Sequence, residues 1–237
     1  MGVDFLFFGA HPDDVEWAAG GICLLLKGKA SFAIIDMTNG EMGSRGTPEE
    51  RKNEAKLAAE FMGAEARGSL NLPDCALMDT PENRLKAAAA VRRFRPRVVV
   101  APYWEDRHPD HAACGQIVRN SRVACALKNS PDPNAPMKPD LYLYYPLNRF
   151  REPSVVVDTT AVFEQKLELV GIHKSQFSKT AAEFGVVAHG LGDYLFGLES
   201  RDRFSGSLIG THYGEALIAD QPLRVTGIDT LLRSRLG

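Results

Sequence analysis

The sequence Phe7-Phe8-Gly9-Ala10-His11-Pro12-Asp13-Asp14-Val15-Glu16 joins an apolar run to a helical pattern. The run from Val3 to Phe8 has the length and aromatic content of a buried strand, and Trp17 to Leu26 is typical of a helix. In open α/β sheets, a strand-to-helix turn of this kind is a place where ligands bind. His11 and Asp14 are three residues apart, so a single turn could hold one metal ion with both side chains.

The acidic pair in this turn also admits a structural interpretation. A lone aspartate at a helix start usually caps the helix by accepting a hydrogen bond from one of its first amide groups, and Asp13 or Asp14 could do no more than that. Asp13 could instead point past a metal that its neighbours hold. Because short motifs often match by chance, this stretch alone does not decide between a cap and a metal site.

A second turn of the same kind follows the β-branched run from Arg97 to Ala101. It reads Pro102-Tyr103-Trp104-Glu105-Asp106-Arg107-His108-Pro109-Asp110-His111. His108 and His111 could reach the same space, and Asp110 could bond one ring nitrogen and fix its tautomer. A lone histidine is more often structural. One strand end that carries a histidine and two carboxylates, together with another that carries two histidines and an aspartate, favours a site instead.

Strands and helices alternate along the first half of the chain. The pattern predicts strands at residues 3–8, 31–38, 65–70 and 97–101, and helices at residues 17–26, 48–62, 81–94 and 109–127. Such βαβ units predict a Rossmann-like α/β fold, with a mainly parallel sheet flanked by helices on both faces. Both polar turns would then lie at the carboxyl ends of strands, on one edge of the sheet.

The pattern is looser beyond residue 129. It predicts short strands at residues 141–145 and 155–157, a helix from a cap at 158–160 to about 173, and another helix from about 179 to 198. The residues from 199 onward are polar and then mixed, and no element is predicted there. We interpret residues 1–237 as a single domain.

The composition is that of an ordinary globular protein. Of the 237 residues, 44% are hydrophobic and 24% are charged, and the formal net charge of −2 gives no electrostatic reason to expect nucleic acid as a partner. No apolar stretch approaches the roughly 20 residues that span a bilayer, so no membrane partner is expected. The four cysteines form no CxxC pair and no secretory leader precedes them. Free thiols and a cytoplasmic enzyme are therefore expected.

These motifs together resemble those of the zinc-dependent de-N-acetylases of the PIG-L, or LmbE-like, family. The resemblance extends over essentially the whole chain and rests on residues 10–16, on Gly20-Gly21 and on His108-Pro109-Asp110-His111. Residues 47–55, 101–107, 175–177 and 199–204 are most similar to the bacillithiol-biosynthesis branch, whose substrate is N-acetylglucosaminyl malate. The resemblance implies hydrolysis of the acetamide of an N-acetylglucosamine conjugate, and a homo-oligomer, which is a hexamer in that branch.

The resemblance also implies a metal site and a base. His11, Asp14 and His111 would be the three zinc ligands, a set that leaves one position open for water and substrate. Asp13, beside a ligand, would be the general base that takes a proton from the zinc-bound water. The ligand types alone also describe non-haem iron oxygenases, so Fe(II) or another divalent metal stays open. A base beside the metal favours hydrolysis over oxygenation.

Four further residues receive roles from the resemblance, and Arg107 receives one from its position beside His108. His108 would be a cation that stabilises the oxyanion or protonates the leaving amine, with Asp110 holding its ring. Arg51 would bind sugar hydroxyls, although its place also suits an ordinary exposed helix arginine. Tyr194 would polarise the substrate carbonyl. Arg107 could meet an acidic aglycone such as malate, or else pair with one of the carboxylates at positions 105 and 106.

A binding protein without catalysis is the competing interpretation. The same sheet edge could hold a sugar or a nucleotide, with the metal structural or absent. A nucleotide is disfavoured because neither a G-x-G-x-x-G sequence nor a P-loop follows the first predicted strand. A module that only binds sugar would not require Asp13.

Overall fold

The protein is described by a computed structural model that covers residues 2–177 and 194–224. The strands are β1 Phe5–Gly9, β2 Phe32–Asp36, β3 Ala66–Ser69, β4 Val98–Pro102, β5 Leu141–Tyr145, β6 Val155–Asp158 and β7 Gly214–Ala219. The helices are α1 Asp14–Leu26, α2 Pro48–Met62, α3 Pro81–Phe94, α4 Pro109–Ala126, α5 Phe163–Ile172, α6 Lys174–Phe177 and α7 Tyr194–Ser207. A single 3₁₀ turn, Thr160–Val162, precedes α5.

The seven strands form one sheet in the order β3-β2-β1-β4-β5-β7-β6. The five strands from β3 to β5 in this order pair in parallel, whereas β7 pairs antiparallel with both β5 and β6. The predicted mainly parallel α/β sheet is therefore confirmed.

The sheet separates two apolar cores. Phe8 of β1 faces the core that includes α3 and α4, whereas Phe7 faces the core that includes α1, α2 and α5. Neighbouring residues of a strand point to opposite faces, so a strand covered on both sides consists of apolar residues throughout. The apolar run that predicted β1 has this cause, and the prediction of helices on both faces is confirmed.

Local signals set the ends of the helices. The Thr47 side chain accepts a hydrogen bond from the Glu50 amide, and the Glu50 carboxylate accepts one from the Thr47 amide, which is a complete capping box at the start of α2. The same helix ends at Gly63, whose φ of 79° is a left-handed conformation that suits glycine. The predicted start and end of α2 are thus confirmed.

The C-terminal part departs from the prediction. Strand β7 was not predicted, because the buried Glu215 interrupts its apolar pattern and both of its partner strands lie far away in sequence. The predicted helix at residues 179–198 falls mostly outside the described residues, and α7 continues past 198 to Ser207. The outward apolar residues Phe196 and Phe204 and the inward Asp202 remove the periodicity that would have revealed α7.

The sheet order decides where the site lies. Strands β1 and β4 are hydrogen-bonded neighbours and run in parallel, so the turns after Gly9 and after Pro102 open on the same edge. Among the described helices, none is both long enough and apolar enough to cross a membrane.

Candidate active site

The turn after β1 does not cap α1 with an aspartate. Asp13 stands at the N-cap position with a φ of 127°, and its side chain makes no capping hydrogen bond. The Oδ2 atom of Asp14 turns back toward the chain before the helix and accepts bonds from the amides of Ala10, at 2.8 Å, and His11, at 3.0 Å. The capping interpretation is therefore wrong, and Asp14 is held with its second oxygen, Oδ1, available.

Three side chains from the two turns converge on one point. Asp14 Oδ1 lies 3.2 Å from His111 Nε2, and Asp14 Oδ2 lies 3.8 Å from His11 Nδ1. The two imidazole centroids are 5.3 Å apart. One ligand atom from each residue lies within 4.8 Å of the others, and all three residues are buried. Two nitrogens and a carboxylate oxygen at this spacing fit a divalent cation.

Both histidines are also held on their outer nitrogens. His11 Nε2 lies 3.1 Å from Asp74 Oδ1 and 3.2 Å from Asp110 Oδ2. His111 Nδ1 lies 3.1 Å from Asp106 Oδ1. Such carboxylate partners are common behind metal-binding histidines, because they fix the ring and its tautomer.

The position of Asp110 corrects one prediction. Its carboxylate was expected to hold the ring of His108, but it faces His11 and accepts the amides of Cys75, at 2.8 Å, and Leu77, at 3.2 Å. His108 is the N-cap of α4, and its Nδ1 accepts the backbone amide of Asp110 at 3.2 Å. The Nδ1 atom of His108 is thus used to cap α4 and is not bonded to the Asp110 carboxylate.

Two carboxylates of the site were missed in the sequence. Asp106 accepts the His108 amide at 2.8 Å besides contacting His111, and Asp74 follows strand β3 at the same sheet edge. Asp106 lies within the second polar turn, five residues before His111, and this spacing could have predicted their contact. Asp74 belongs to an Asn-Leu-Pro-Asp turn after a strand, and only that position pointed to the site.

The carboxylates around His11 and His111 give the site an excess of negative charge. Burial lowers the pKa of His11, but four carboxylates outweigh this effect and raise that pKa to about 11; they belong to Asp110, Asp74, Asp14 and Asp13. Burial likewise lowers the pKa of His111, whereas the charge of Asp14 and the hydrogen bonds that Asp106 and Asp14 accept from the ring raise it to about 9. A metal ion would supply the same positive charge that these protons supply.

The pKa values of Asp13 and His108, which lie beside these residues, are also shifted. Burial raises the pKa of Asp13 to about 6, against the opposing charge of Arg51. Burial lowers the pKa of His108, and the charges of His111 and His11 add to this effect. A neutral His108 whose Nδ1 accepts a bond carries its proton on Nε2.

Arg51 is buried, so the alternative of an ordinary exposed arginine is wrong. Its guanidinium donates to the carbonyl oxygens of Gly40, at 2.8 Å, and Pro12, at 3.1 Å, and lies 3.5 Å from Asp13 Oδ2. A Cβ atom at Gly40, whose φ is +65°, would lie 2.0 Å from Arg51 Nη1. Glycine at this position is therefore what lets the arginine lie under the loop and beside Asp13.

Arg107 is exposed at the rim. In the described part of the chain, Arg107 forms no ion pair. Glu105 pairs instead with Arg151 at 2.7 Å, and Asp106 contacts His111 at 3.1 Å. The predicted pairing with a neighbouring carboxylate is not observed there. The backbone of Tyr194 begins α7, but its side chain lies outside the described residues, so its predicted role stays a prediction.

These groups line a cleft of about 640 Å³, a volume typical of small-molecule sites. Trp17 and Phe177 form one wall, with their rings stacked at a centroid distance of 5.5 Å. The remaining lining residues include His11, Asp13, Asp14, Arg45, Arg51, Asp74, Arg107, His108, His111 and Gln176. The two polar turns thus form the floor of a single cleft.

Comparison with known proteins agrees with this geometry. A family model described as PIG-L, GlcNAc-PI de-N-acetylase, matches residues 6–121. The chain is 32% identical over 183 residues to the probable N-acetyl-alpha-D-glucosaminyl L-malate deacetylase 2 of Bacillus cereus, covering 70% of this chain and 80% of that protein.

Solved structures extend the similarity to the whole fold. The conserved protein TT1542 of Thermus thermophilus is 35% identical, with a TM-score of 0.85 over 94% of this chain and 97% of that one. The N,N'-diacetylchitobiose deacetylase of Pyrococcus horikoshii is 25% identical, with a TM-score of 0.79 over 91% of this chain and 83% of that one. This chain belongs to the PIG-L, or LmbE-like, family of de-N-acetylases.

Proposed function

We propose that this protein hydrolyses the acetamide of an N-acetylglucosamine conjugate, and that N-acetylglucosaminyl malate is the first substrate to test. The observation that carries the proposal is the convergence of His11, Asp14 and His111 on one point beside Asp13, at the floor of the cleft. The Bacillus cereus and Pyrococcus horikoshii relatives, both named as deacetylases of N-acetylglucosamine compounds, support the reaction class.

His11, Asp14 and His111 would hold the cation, and zinc is the proposed metal, although the donor set also suits Fe(II). When bound, the metal would supply Lewis-acid polarisation of the acetamide carbonyl and activation of water. The fit rests on the donor atoms and on the surplus of negative charge that raises the pKa of both histidines.

Asp13 is proposed as the general base. It lines the cleft next to Asp14, and its left-handed backbone leaves its carboxylate out of the helix cap. Arg51 holds the Pro12 carbonyl and approaches the Asp13 carboxylate, so it would fix the base in position. Asp13 would take a proton from the attacking water, a contribution of about 10²- to 10⁴-fold for general bases.

His108 is proposed to act on the carbonyl oxygen or the leaving amine. Its Nδ1 accepts the Asp110 amide, so the ring keeps its proton on Nε2 and can donate it from there. Because the pKa of His108 is lowered by burial, we propose a neutral hydrogen-bond donor rather than the cation expected from the sequence. A donor aimed at developing negative charge stabilises the tetrahedral state.

The malate assignment rests on Arg107. This arginine is exposed at the rim of the cleft without an ion pair to a described residue, which leaves its charge available for an acidic aglycone. Arginine suits carboxylates because its guanidinium can donate two parallel hydrogen bonds. Arg51, by contrast, is committed to backbone carbonyls and Asp13, so any bond to a sugar hydroxyl would come from its remaining donors.

The test is release of free amine by zinc-loaded protein from glucosamine conjugates of malate, of inositol and of a second N-acetylglucosamine. We expect release from at least one conjugate, with malate preferred, and a loss of about 100-fold or more in Asp13→Ala with zinc still bound. Arg107→Ala should reduce only the preference for malate. Asp79→Ala, which removes an aspartate paired with Arg84, is the matched control.

No release from any conjugate by the zinc-loaded wild type would refute the deacetylase proposal, as would full activity in a folded, zinc-loaded Asp13→Ala variant. The homo-oligomer, the single domain and the cytoplasmic location stay predictions.

A further inference from the structure

Asp74 is a buried carboxylate that lies next to the proposed site and has no role in the chemistry above. Its Oδ1 atom lies 3.1 Å from His11 Nε2 and accepts the Cys75 amide at 2.8 Å. Its Oδ2 atom accepts the Met42 amide at 2.9 Å. The two backbone amides that donate to this carboxylate favour its ionised form.

Two carboxylates share the same pair of donors here. Asp110 Oδ2 lies 3.2 Å from His11 Nε2 and 2.8 Å from the Cys75 amide nitrogen, which are also the partners of Asp74 Oδ1. Cys75 has a φ of 59°, a strained conformation for a residue with a side chain, and it places this amide between the two acids. The shared donors offset the repulsion between these two buried carboxylates.

This arrangement determines which nitrogen of His11 is free. With two carboxylates facing Nε2, the proton of a neutral ring stays on Nε2. The lone pair is then on Nδ1, the atom that faces Asp14 at 3.8 Å. A neutral imidazole with its lone pair toward the other donors is the form that binds a cation.

Asp74 also connects His11 to the wall of the cleft. Met42 and Glu41 belong to the loop between β2 and α2, and the Glu41 carboxylate accepts the Asp74 amide at 3.0 Å. The side chain of Asp74 therefore faces His11 with Oδ1 and bonds to the loop at Met42 with Oδ2, and its backbone amide bonds to the loop at Glu41. The Glu41 bond can be removed without touching His11, because Glu41 is exposed and does not contact His11 in the described structure.

We propose that Asp74 is a positioning residue that, together with Asp110, holds the Nε2–H of His11 and so presents Nδ1 to the cation. The inference rests on the proposed function only through the cation, not through the substrate. The alternative is that Asp74, Cys75 and Asp110, whose ligand atoms also lie within 4.8 Å of one another, bind a second cation of their own.

The experiment measures zinc binding by competition with a chelating indicator, together with the zinc content per chain. Asp74→Asn keeps the shape of the side chain but removes its charge, so we expect zinc affinity to fall by about 10-fold or more, as for other changes behind metal ligands. Glu41→Gln and Asp79→Asn are the controls, and neither should change the affinity. Thermal unfolding without zinc checks that each variant is folded.

A nuclear magnetic resonance measurement separates positioning from general support. With ¹⁵N-labelled histidine and bound zinc, the Nε2–H proton of His11 should shift upfield in Asp74→Asn, because a charged acceptor has been replaced by a neutral one. A double Asp74→Asn/Asp110→Asn variant should lose more affinity than either single variant, because no charged acceptor then faces the Nε2–H of His11.

Each other result counts against the inference. An unchanged zinc affinity and an unchanged His11 resonance in folded Asp74→Asn would overturn it while leaving the proposed function intact. Two zinc ions per wild-type chain, falling to one in the variant, would show a second cation site instead. A wild type that takes up no zinc or other divalent cation would overturn both this inference and the cation in the proposed function.

Discussion

Among the clusters of buried ionisable groups along helix α1, we compare the one that includes Asp14, at its first turn, with the one at its midpoint. The midpoint cluster consists of Lys166, Asp202 and Glu215. Lys166 Nζ pairs with Asp202 Oδ2 at 2.6 Å and with Glu215 Oε1. Glu215 also accepts the amides of Gly21 and Ile22, both at 2.7 Å, just beyond the kink at Ala19. This cluster caps the second half of α1, and Arg201 pairs with the other oxygen of Asp202 at 2.9 Å, so the two carboxylates face two basic side chains.

The first-turn cluster is not balanced in this way. It consists of His11, Asp14, His111, Asp74 and Asp110. Among the described residues, no lysine or arginine pairs with any of its three carboxylates, and the raised pKa of both histidines reflects the missing positive charge. Buried charges need partners, so a buried acidic cluster without a basic side chain indicates a cation site, whereas one that contains a lysine indicates structural support.

The largest effect is expected on activity when the first-turn cluster loses a ligand. His111→Ala should reduce amine release by more than about 100-fold, since the proposed cation would supply several kcal/mol to the reaction. His212→Ala, which removes an exposed histidine, is the control and should keep wild-type activity. Near-normal turnover in the zinc-treated His111→Ala variant would show that the first-turn cluster is not the cation site.

The midpoint cluster should respond in stability instead. Lys166→Met leaves the buried Glu215 without its basic partner and Asp202 with Arg201 alone, and we expect the free energy of unfolding to fall by about 3 to 5 kcal/mol in urea titrations. Lys56→Met, at a side chain that is 73% exposed, should change it by less than about 1 kcal/mol. Equal losses in the two variants would contradict the assignment of a structural role.

Added zinc should stabilise the protein through the first-turn cluster alone. At a free concentration of about 100 Kd, binding adds about 2.7 kcal/mol to the free energy of unfolding. This increase in the free energy of unfolding should persist in Lys166→Met, although that variant is less stable without zinc. It should disappear in His111→Ala. Urea titrations with and without zinc measure both values, and a gain that survived in His111→Ala would place the cation elsewhere.

The smallest effect concerns His173, buried between the two clusters. Its Nε2 lies 3.0 Å from Glu16 Oε1. Burial lowers the pKa of His173, but Glu16 and Asp13 outweigh burial and the charge of Arg67 and raise it above its ordinary 6.5. This stabilisation is fully present below pH 6.5 and is lost as the pH rises through the folded-state value.

His173→Gln tests this contribution. The difference in stability between wild type and variant should shrink as the pH rises above 6.5. The effect is small because His173 Nδ1 has no hydrogen-bond partner, so protonation also buries an unpaired N–H. Urea titrations between pH 6 and 9 measure the difference, and a constant difference would show that His173 stays neutral.

The elements that the sequence predicted well are those with local causes. The capping box of α2 involves residues three apart, and the apolar run of β1 reflects burial on both faces of the strand. The two polar turns were recognised because each concentrates its chemistry in a few positions. The parallel order of their strands then implied that His11 and His111 would meet, and the structure confirms it.

The errors have a different origin. Strand β7 contains the buried Glu215, whose charge is paired with Lys166. That lysine lies 49 residues earlier in the chain. Asp110 was assigned to the neighbouring His108, but it bonds to His11 at a separation of 99 residues. In both cases the partner of a polar group is chosen by the fold, and no local pattern contains that choice.

The sequence by itself determined the α/β class, the start and end of α2 and the residue types of the candidate cation site, because these depend on periodicity, capping and side-chain chemistry within short stretches. Only the tertiary structure decided which carboxylate faces which histidine, that Arg51 is buried beside Asp13, and that Asp74 belongs to the site. The physical reason is that a buried polar group must find a partner in space, and sheet packing brings distant parts of the chain to that place.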